Sequence, residues 1–312
     1  MSKLYLGIDT SNYTTSIAVC NEGGEIIKNI RMMLPVKEGQ MGLRQSDAVF
    51  LHVKNLTELK ESILDEFPVS DIQGIGVSVS PTTKQGSYMP CFMVGISFAN
   101  VLGNLLGVPV FSFSHQQNHV VAALYGANAL RLLENRFLAF HVSGGTTDAM
   151  LVQVNDGKID ITPVAASLDL KAGQAVDRVG GMLGLPFPAG KHLDKLACES
   201  DRKFKIKPTL KGFDPCLSGV ENKCRQMLEK GEAPCDIAAY CIAYIEATLS
   251  EMTKRILEHY GNMPILYAGG VMSNSIISKS LSERFGGHFA PADLSSDNAS
   301  GNALMCRMEL MK

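Results

Sequence analysis

Two segments of the chain share one alternation of apolar and polar positions: an apolar strand, a polar turn and a second apolar strand. They cover residues 4–19 (LYLGIDTSNYTTSIAV) and residues 138–152 (LAFHVSGGTTDAMLV). Three hydroxyl residues in each turn have matching spacing, namely Ser11, Thr14 and Thr15 in the first and Ser143, Thr146 and Thr147 in the second. Each segment is typical of a β-hairpin, and the match predicts a duplicated lobe. A chance match between two common turn compositions is the alternative.

Outside the two hairpins, predicted strands alternate with predicted helices. Between the hairpins the pattern gives a strand at 75–80, an apolar helix at about 90–106 and a strand at 108–113. After the second hairpin it gives helices near 170–183, 190–199 and 236–260, a strand at 265–267 and a closing helix at about 298–311. This alternation predicts an α/β fold.

The composition narrows the class of protein. A length of 312 residues suits about two domains, and 46% hydrophobic with 19% charged residues is typical of a globular chain. No apolar stretch reaches the roughly 18 residues of a membrane helix, and no signal peptide is visible, so we expect a cytoplasmic protein without a membrane partner. Eight scattered cysteines without a C-x-x-C pair are assigned no chemistry. The net charge of −2 gives the whole chain no attraction for RNA. Any RNA site must therefore be a local surface cluster or be built together with a partner.

Small and hydroxyl residues at three turns predict an anion-binding site, because backbone N–H groups in such turns and at helix starts can bind phosphate. The turns are Thr10-Ser11, Ser143-Gly144-Gly145-Thr146 and Ala268-Gly269-Gly270-Val271. Together they resemble three sides of a nucleotide cleft, whereas each glycine pair taken alone is as consistent with a tight turn. The P-loop, the dinucleotide G-x-G-x-x-G motif and the G-x-S-x-G nucleophile elbow are absent from the sequence.

Two histidines and a distant aspartate predict a metal site. His115 and His119 are four residues apart where a helix is predicted to start, which places both imidazoles on one face. The same spacing would suit histidines that merely cap and line a helix start. Asp297, before the closing helix, is a candidate third ligand, and its alternative role is a helix N-cap. Such a donor set would suit zinc or ferrous iron. Asp169 and Asp177 are predicted to share one helix face, which is usually a solvated one.

The ordered motifs resemble the TsaD-like tRNA threonylcarbamoyladenosine transferase family, formerly described as O-sialoglycoprotein endopeptidases. The likeness covers nearly the whole chain. The motifs are GIDTSNYTTSIAV from Gly7, HQQNH from His115, VSGGTT from Val142, D-x-x-A-G-x-A-x-D from Asp169 to Asp177, LGLPFPAG ending at Gly190, LSGVENK from Leu217, AGGVMSN from Ala268 and SSDN from Ser295. A peptidase is disfavoured, because neither a hydrolase nucleophile set nor H-E-x-x-H is present.

The resemblance implies a two-lobed fold like that of actin, hexokinase and acetate kinase, with duplicated ribonuclease-H-like lobes and a cleft between them. We expect lobe I at residues 1–132, joined by the closing helix 298–312, and lobe II at residues 133–297. The implied activity is transfer of a threonylcarbamoyl group from threonylcarbamoyl-adenylate to N6 of the adenosine next to the anticodon in tRNA. Partner proteins of that pathway and a homo- or heterodimer are also implied.

The resemblance also implies the site residues. One divalent metal, iron or zinc, would be held by His115, His119 and Asp297. An adenine nucleotide or acyl-adenylate would be held by a larger set of residues. Some of them match the family motifs, and the others belong to the three turns. That set is Thr10, Ser11, Val142, Ser143, Gly144, Gly145, Thr146, Asp177, Gly190, Gly269, Gly270 and Asn274. No covalent nucleophile is required.

The chain departs from the family pattern at four acidic positions. Tyr13 and Thr14 stand where the first turn usually has an acidic pair, and Gln117 and Gln174 stand where glutamates are usual. Residues 81–90 (PTTKQGSYMP) replace a glycine-rich stretch. These departures predict a divergent paralogue. Two alternatives therefore stay open: related carbamoyl transfer to another acceptor, and a non-catalytic nucleotide-binding partner protein of the same pathway.

Overall fold

The computed structural model describes residues 3–11, 13–35, 43–64 and 66–312, so Asn12 of the first predicted turn lies outside the described residues. The chain forms two compact units. Unit 1 comprises Met1–Gly126 with Ser296–Lys312, and unit 2 comprises Ala127–Ser295. Asp297 belongs to unit 1, although the predicted boundaries placed it in lobe II, residues 133–297. No helix among the described residues is long and apolar enough to cross a membrane.

Unit 1 contains a five-stranded sheet in the order β3-β2-β1-β4-β5. The first three strands are antiparallel, and β4 and β5 continue the sheet parallel to β1. The strands are β1 Leu4–Asp9, β2 Thr14–Asn21, β3 Ile26–Met33, β4 Ile72–Ser80 and β5 Val110–Ser114. The helices are α1 Gln45–Leu64, α2 Phe92–Leu106, α3 His115–Gly126 and α10 Ser300–Leu310.

Glycines on one face of the unit 1 sheet let α10 approach the backbone closely. A Cβ atom added at Gly7 would lie 2.2 Å from the Ala299 carbonyl oxygen, and one added at Gly76 would lie 2.2 Å from that of Asn302. On the other face, Ile8 and Ile75 belong to a buried apolar cluster that includes side chains of α1 and α2. The glycine face therefore fixes the start of α10, and with it the residues just before that helix.

Unit 2 repeats this arrangement with a sheet in the order β12-β11-β6-β7-β8. Its strands are β6 Phe137–Val142, β7 Thr147–Asn155, β8 Lys158–Ala166, β11 Ile265–Ala268 and β12 His288–Phe289, and β9 Thr209–Lys211 pairs separately with β10 Asp214–Cys216. The helices are α4 Ala172–Met182, α5 Gly190–Ala197, α6 Ser218–Glu229, α7 Pro234–Tyr260, α8 Ser275–Phe285 and α9 Ala292–Ser295. The long α7 supplies much of the core, because Cys241, Ile245 and Leu249 recur at helical spacing and are buried.

The two sheets share one topology, in which three antiparallel strands are followed by two strands parallel to the first. The hairpin registers also agree, since Asp9 pairs with Ser16 in unit 1 and His141 pairs with Asp148 in unit 2. The predicted hairpins, the α/β class and the duplicated lobe are thus confirmed. The pattern did not predict α1, β3, β8 or α6.

Candidate metal centre and anion-binding turn

His115, His119 and Asp297 come together in unit 1. The Nε2 atoms of the two histidines are 3.0 Å apart. The Asp297 Oδ1 atom lies 3.1 Å from His119 Nε2 and 3.5 Å from His115 Nε2. The three side chains form a group whose ligand atoms all lie within 4.8 Å of one another.

A capping box starts the helix that carries both histidines. The Gln117 Oε1 atom accepts a hydrogen bond of 2.8 Å from the Ser114 backbone N–H, and the Ser114 Oγ atom accepts one of 3.2 Å from the Gln117 N–H. Reciprocal bonds of this kind satisfy two N–H groups at a helix start. They begin α3 directly after β5, so His115 occupies the first turn and His119 follows one turn later. The amide of Gln117 performs a role that a glutamate would also perform.

The carboxylate of Asp9 lies behind His115 and fixes its ring. Asp9 is 1% exposed, and its Oδ2 atom is 2.9 Å from His115 Nδ1. The same oxygen accepts hydrogen bonds of 2.7 Å from Ser78 Oγ and 2.8 Å from Asn118 Nδ2. The other oxygen accepts bonds from the backbone N–H and the hydroxyl of Ser11. With Nδ1 directed at Asp9, the His115 Nε2 atom faces His119 and Asp297.

Two buried asparagine side chains connect the segment next to Asp297 to α3, the helix that carries both histidines. Asn118 Nδ2 donates to the Asn298 carbonyl oxygen at 2.5 Å, and Asn118 Oδ1 accepts a bond of 2.9 Å from the Asn302 N–H. Asn302 Nδ2 in turn donates to the Ile8 carbonyl oxygen and to Ser78 Oγ, both at 2.8 Å. This network connects β1, β4, α3 and the start of α10. It holds the residue next to Asp297 against α3.

The alternative role of Asp297 as a helix cap is wrong. The Ser300 backbone N–H at the start of α10 donates instead to Asn298 Oδ1, at 2.8 Å. The described contacts of the Asp297 carboxylate are those to the two histidines. Its carboxylate is therefore available as the third ligand of the group.

The charges of the group favour one added cation. Burial by itself lowers the pKa of His115, but the facing carboxylates of Asp9 and Asp297 raise this pKa to about 10. Burial raises the pKa of Asp297, yet hydrogen bonds from both histidines hold that pKa well below its usual range. The pKa of Asp9 is lowered in the same way, because His115, Ser11 and Ser78 outweigh its burial. Without an ion, the two ionised carboxylates therefore keep His115 protonated, and a cation bound at its Nε2 atom would take the place of that proton.

The separations also fit a metal ion. Bonds of roughly 2.0 to 2.2 Å to a central ion place neighbouring ligand atoms about 3 to 3.5 Å apart. The separations of 3.0, 3.1 and 3.5 Å fall in that range. Metal-binding histidines usually donate their other ring N–H to a carboxylate or carbonyl, and Asp9 meets that condition for His115.

The second hairpin turn, in unit 2, exposes its backbone at two glycines. Gly144 and Gly145 are exposed, and a Cβ atom added at Gly144 would meet nothing within 4 Å. Ser143 Oγ accepts bonds of 3.2 Å from the N–H groups of Gly145 and Thr146. The turn closes with a bond of 2.8 Å from the Ser143 N–H to the Thr146 carbonyl oxygen.

Two further glycines bring other elements against this turn. The Gly173 N–H donates to the Ser143 carbonyl oxygen at 3.0 Å, and a Cβ atom at Gly173 would lie 2.5 Å from the Gly144 nitrogen. A Cβ atom at Gly269 would lie 2.2 Å from the Val142 carbonyl oxygen, and its φ of +103° favours glycine. The start of α4 and the end of β11 therefore adjoin Val142–Gly144.

The other predicted nucleotide residues of unit 2 fix helix starts. Asp177 Oδ1 accepts a bond of 2.8 Å from the Ala189 N–H, just before Gly190 begins α5. Asn274 Oδ1 accepts from the N–H groups of Ile276 and Ile277 and caps α8. Gly270 begins a 3₁₀ turn, Gly270–Ser273. Their roles toward a ligand stay predictions.

Three predicted residues have contacts that the sequence did not indicate. Thr10 is fully buried, and its hydroxyl donates to the Cys91 carbonyl oxygen and accepts from the Gly95 N–H, so it joins β1 to α2. Ser11, also buried, contacts Asp9 and His115 and so lies beside one of the candidate metal ligands. Asp169 lies before α4 and accepts from the Leu217 and Ser218 N–H groups, so a helix face shared with Asp177 is wrong.

Sequence reasoning did not include the residues behind the metal ligands. These are Asp9, Ser78, Asn118 and Asn302, which are all buried. One signal was present in the sequence, because Asp9 directly follows the apolar run LYLGI of a predicted strand, and the structure buries all six positions of that strand. Acidic side chains are almost never fully buried unless they are paired, so such a residue predicts a partner.

Comparison with known proteins decides the family. A sequence profile described as TsaD, tRNA N6-adenosine threonylcarbamoyltransferase, matches residues 37–303. The chain belongs to this family. The family recognised from the ordered motifs is therefore confirmed, and with it the assignment to a transferase.

Curated relatives of the chain carry the same description. The tRNA N6-adenosine threonylcarbamoyltransferase of Fusobacterium nucleatum is 29% identical over 295 residues, which cover 90% of this chain and 82% of the relative. That of Enterococcus faecalis is 30% identical over 292 residues, which cover 89% of this chain and 80% of the relative. The likeness to the family thus extends over most of both chains.

Solved structures agree on the fold. Component A of the (R)-2-hydroxyglutaryl-CoA dehydratase of Acidaminococcus fermentans matches with a TM-score of 0.56 at 18% identity, over 99% of this chain and 100% of that chain. HypF of T. kodakarensis matches with a TM-score of 0.61 at 13% identity, over 99% of this chain and 48% of that chain. At such identities the likeness shows the fold alone, and the predicted actin/hexokinase-like fold is confirmed.

Proposed function

We propose that this chain transfers a threonylcarbamoyl group from threonylcarbamoyl-adenylate to N6 of the adenosine next to the anticodon in tRNA. The observation that carries the proposal is the convergence of His115, His119 and Asp297 in a chain of this family, with Asp9 behind them. A protein that only bound nucleotide would have no need for three ligands from distant parts of the sequence.

The residues of unit 1 would hold one divalent cation, zinc or iron. When bound, the ion would supply positive charge that stabilises the developing charge on phosphate or carbonyl oxygens. His115, His119 and Asp297 supply the donor atoms, and the Asp9 carboxylate keeps the His115 ring in the orientation that directs Nε2 toward the other two.

The turn of unit 2 would hold the adenylate. Exposed Gly144 and Gly145 let a phosphate approach the backbone, and the Ser143 hydroxyl fixes the turn through two N–H groups. Asp177, Gly190, Gly269, Gly270 and Asn274 complete the proposed adenylate site, together with Val142 and Thr146. In this proposal Thr10 and Ser11 act through unit 1, where they support β1 and the metal ligands.

Two of the four departures from the family pattern preserve the local structure. Gln117 closes the capping box of α3, and the Gln174 Oε1 atom accepts a bond of 3.3 Å from the Lys171 N–H at the start of α4. An amide oxygen serves in these places as a carboxylate oxygen would. All four departures remove a negative charge, but Gln117 and Gln174 keep the hydrogen bonds that start α3 and α4. This pattern supports a retained activity.

The proposal includes tRNA as acceptor and hence a cytoplasmic site of action. It also includes assistance from partner proteins of the pathway, and a homo- or heterodimer. Transfer to another acceptor remains the alternative that the neutral first turn leaves open.

The test is nucleoside analysis of tRNA by mass spectrometry. Cells lacking the gene should lose N6-threonylcarbamoyladenosine, the parent gene should restore it, and a gene encoding His115→Ala with His119→Ala should not. A gene encoding His192→Ala, which changes an exposed histidine of α5, should restore it as the parent does. Equal modification with and without the gene would contradict the proposal. So would full restoration by the double variant.

A further inference from the structure

One extended segment of unit 2 carries a row of exposed lysines. From Lys203 to Lys211 every second residue is exposed, and the residues between them are partly buried. The exposed positions are Lys203, Lys205, Lys207, Thr209 and Lys211. Alternation of this kind is the property of an extended backbone, which places successive exposed positions about 7 Å apart. We refer to these four lysines as the lysine ridge.

The inward side chains anchor the ridge to the core of unit 2. Phe204, Ile206 and Leu210 contact the buried apolar cluster of that unit. The Phe204 ring meets Tyr240 of α7 edge-on, with 5.3 Å between ring centroids. At the far end, Arg255 Nη1 donates to the Gly212 carbonyl oxygen at 3.0 Å. The lysines are therefore displayed on a segment that is held at both ends.

Among the described residues no acidic side chain forms an ion pair with the ridge, and Asp214, which lies opposite Lys211 in the β9–β10 pair, accepts instead from the Ala166 N–H. The sequence has no aspartate or glutamate between Arg202 and Phe213. The nearby carboxylates of Glu232 and Asp236 pair with Arg202. Within the part of the chain that the structure describes, no ridge lysine forms an ion pair, whereas Lys3 and Lys312, for example, pair with Glu22 and Glu309.

We infer that the lysine ridge binds the phosphate backbone of RNA, and specifically of the tRNA that receives the threonylcarbamoyl group. The inference rests on the proposed function, which makes tRNA a substrate. The net charge of −2 gives the whole chain no attraction for nucleic acid, so a tRNA contact made by this chain itself has to come from a local cluster of cations. Four lysines over nine residues are such a cluster. A membrane surface fits less well, because the aromatic side chains of the segment face the core.

The ridge makes backbone contacts, so it contributes affinity without selecting the tRNA. Lysine is a point charge on a flexible stem, suited to phosphate and without the planar fork that reads a base edge. Each lysine that contacts a phosphate of single-stranded or duplex RNA adds about 0.7 to 0.9 to the salt dependence of binding. Four contacts therefore predict a contribution of about 3 to the slope of log affinity against log salt concentration.

The test measures binding of an unmodified tRNA transcript to the full chain over a series of KCl concentrations. The variant replaces Lys203, Lys205, Lys207 and Lys211 with glutamine. The control variant replaces four exposed lysines elsewhere in unit 2 with glutamine, and they are Lys158, Lys223, Lys254 and Lys279. The two variants have the same net charge, so a difference between them reports position.

The ridge variant should bind tRNA at least about tenfold more weakly at low salt, with the slope reduced by about 3. The control variant should keep nearly the parent slope, and both variants should keep the metal content and melting temperature of the parent. Equal slopes for parent and ridge variant would overturn the inference. So would equal losses in the two variants.

The outcomes also separate this inference from the proposed function. If the parent binds and modifies tRNA but the ridge variant binds equally well, the ridge assignment is wrong and the function stands. If the parent binds tRNA through the ridge but its gene does not restore N6-threonylcarbamoyladenosine in cells that lack it, the ridge stands and the function is wrong. If the parent binds no tRNA, the ridge assignment is wrong, and the nucleoside analysis in cells decides the function separately.

Discussion

The hairpin turns of the two units occupy the same place in the same sheet topology, yet their chemistry differs. In unit 1 the position that pairs across the turn is Asp9, a buried carboxylate that gathers side chains from β4 and α3. In unit 2 the corresponding position is His141, and the turn that follows is open at Gly144 and Gly145. One turn is thus closed around a charge, and the other exposes its backbone.

The difference shows how a duplicated framework supports two kinds of site. A buried carboxylate needs hydrogen-bond donors, and the groups that reach Asp9 include His115, a proposed metal ligand. An exposed glycine turn keeps its backbone accessible, which suits a phosphate. The sheet supplies the positions, and the residues at its strand ends decide which ligand each turn accepts.

Removing both histidines should have the largest effect, because it should abolish metal binding in unit 1 and leave unit 2 unchanged. The change His115→Ala with His119→Ala leaves Asp297 as the remaining ligand of the group, so metal content should fall from about one ion per chain to almost none. Elemental analysis of dialysed protein measures it, with His192→Ala as control. Nucleotide binding in unit 2 should persist. Equal metal content in the double variant and the parent would contradict the metal centre.

Removing the charge behind His115 should have the next largest effect. Asp9→Asn keeps the size of the side chain but removes the carboxylate that orients the ring, and loss of such a partner typically costs about 10- to 100-fold in metal affinity. Competition with a chromogenic chelator measures the affinity. The matched control is Asp194→Asn, a carboxylate that accepts from Ser275 in unit 2. An unchanged affinity in Asp9→Asn would show that the buried charge only stabilises the fold.

Blocking the close approach of Gly173 to the turn at Gly144 should weaken the proposed adenylate site of unit 2. In Gly173→Ala the new Cβ atom would lie 2.5 Å from the Gly144 nitrogen, so the turn has to shift, at a cost of about 1 to 3 kcal/mol. We expect AMP binding, followed by calorimetry, to weaken by about tenfold while metal affinity stays constant. Gly181→Ala is the control on the same helix, because nothing lies within 4 Å of that position, and it should leave binding intact. Equal AMP affinities in both variants would argue against the turn as the adenylate site.

The smallest effects should come from the capping box of α3. Gln117→Glu retains an acceptor oxygen at the same distance along the side chain, so the free energy of unfolding should change by less than about 0.5 kcal/mol. Gln117→Ala removes the acceptor of the Ser114 N–H and should cost about 1 kcal/mol. Urea denaturation distinguishes the two variants. A large loss of metal binding in Gln117→Glu would show that the neutral side chain matters for more than the helix start.

The sequence predicted what local patterns determine. Both hairpins, α2 and α7 follow from apolar spacing, and the family motifs led to His115, His119 and Asp297. The helix α1 was not predicted, because its inward positions include the buried polar side chains His52 and Asn55, which bond to Thr15 of β2.

The residues behind the candidate metal ligands could not be predicted from the sequence for another reason. The partners of Asp9 come from residue 78 on β4 and residues 115 and 118 on α3, so their meeting depends on the tertiary structure. The same holds for the role of Thr10, whose hydroxyl joins two elements that are far apart in sequence. The local sequence pattern identifies a polar residue, but only the tertiary structure shows which residue it contacts.

Two imidazoles and one carboxylate of unit 1 are proposed to bind one metal ion. X-ray absorption spectroscopy of the zinc-loaded chain identifies the atoms that surround that ion. We predict a shell of nitrogen and oxygen atoms at about 2.0 to 2.1 Å, with the outer scattering of two imidazole rings. A sulfur shell at about 2.3 Å, supplied by any of the eight cysteines, would contradict the claim.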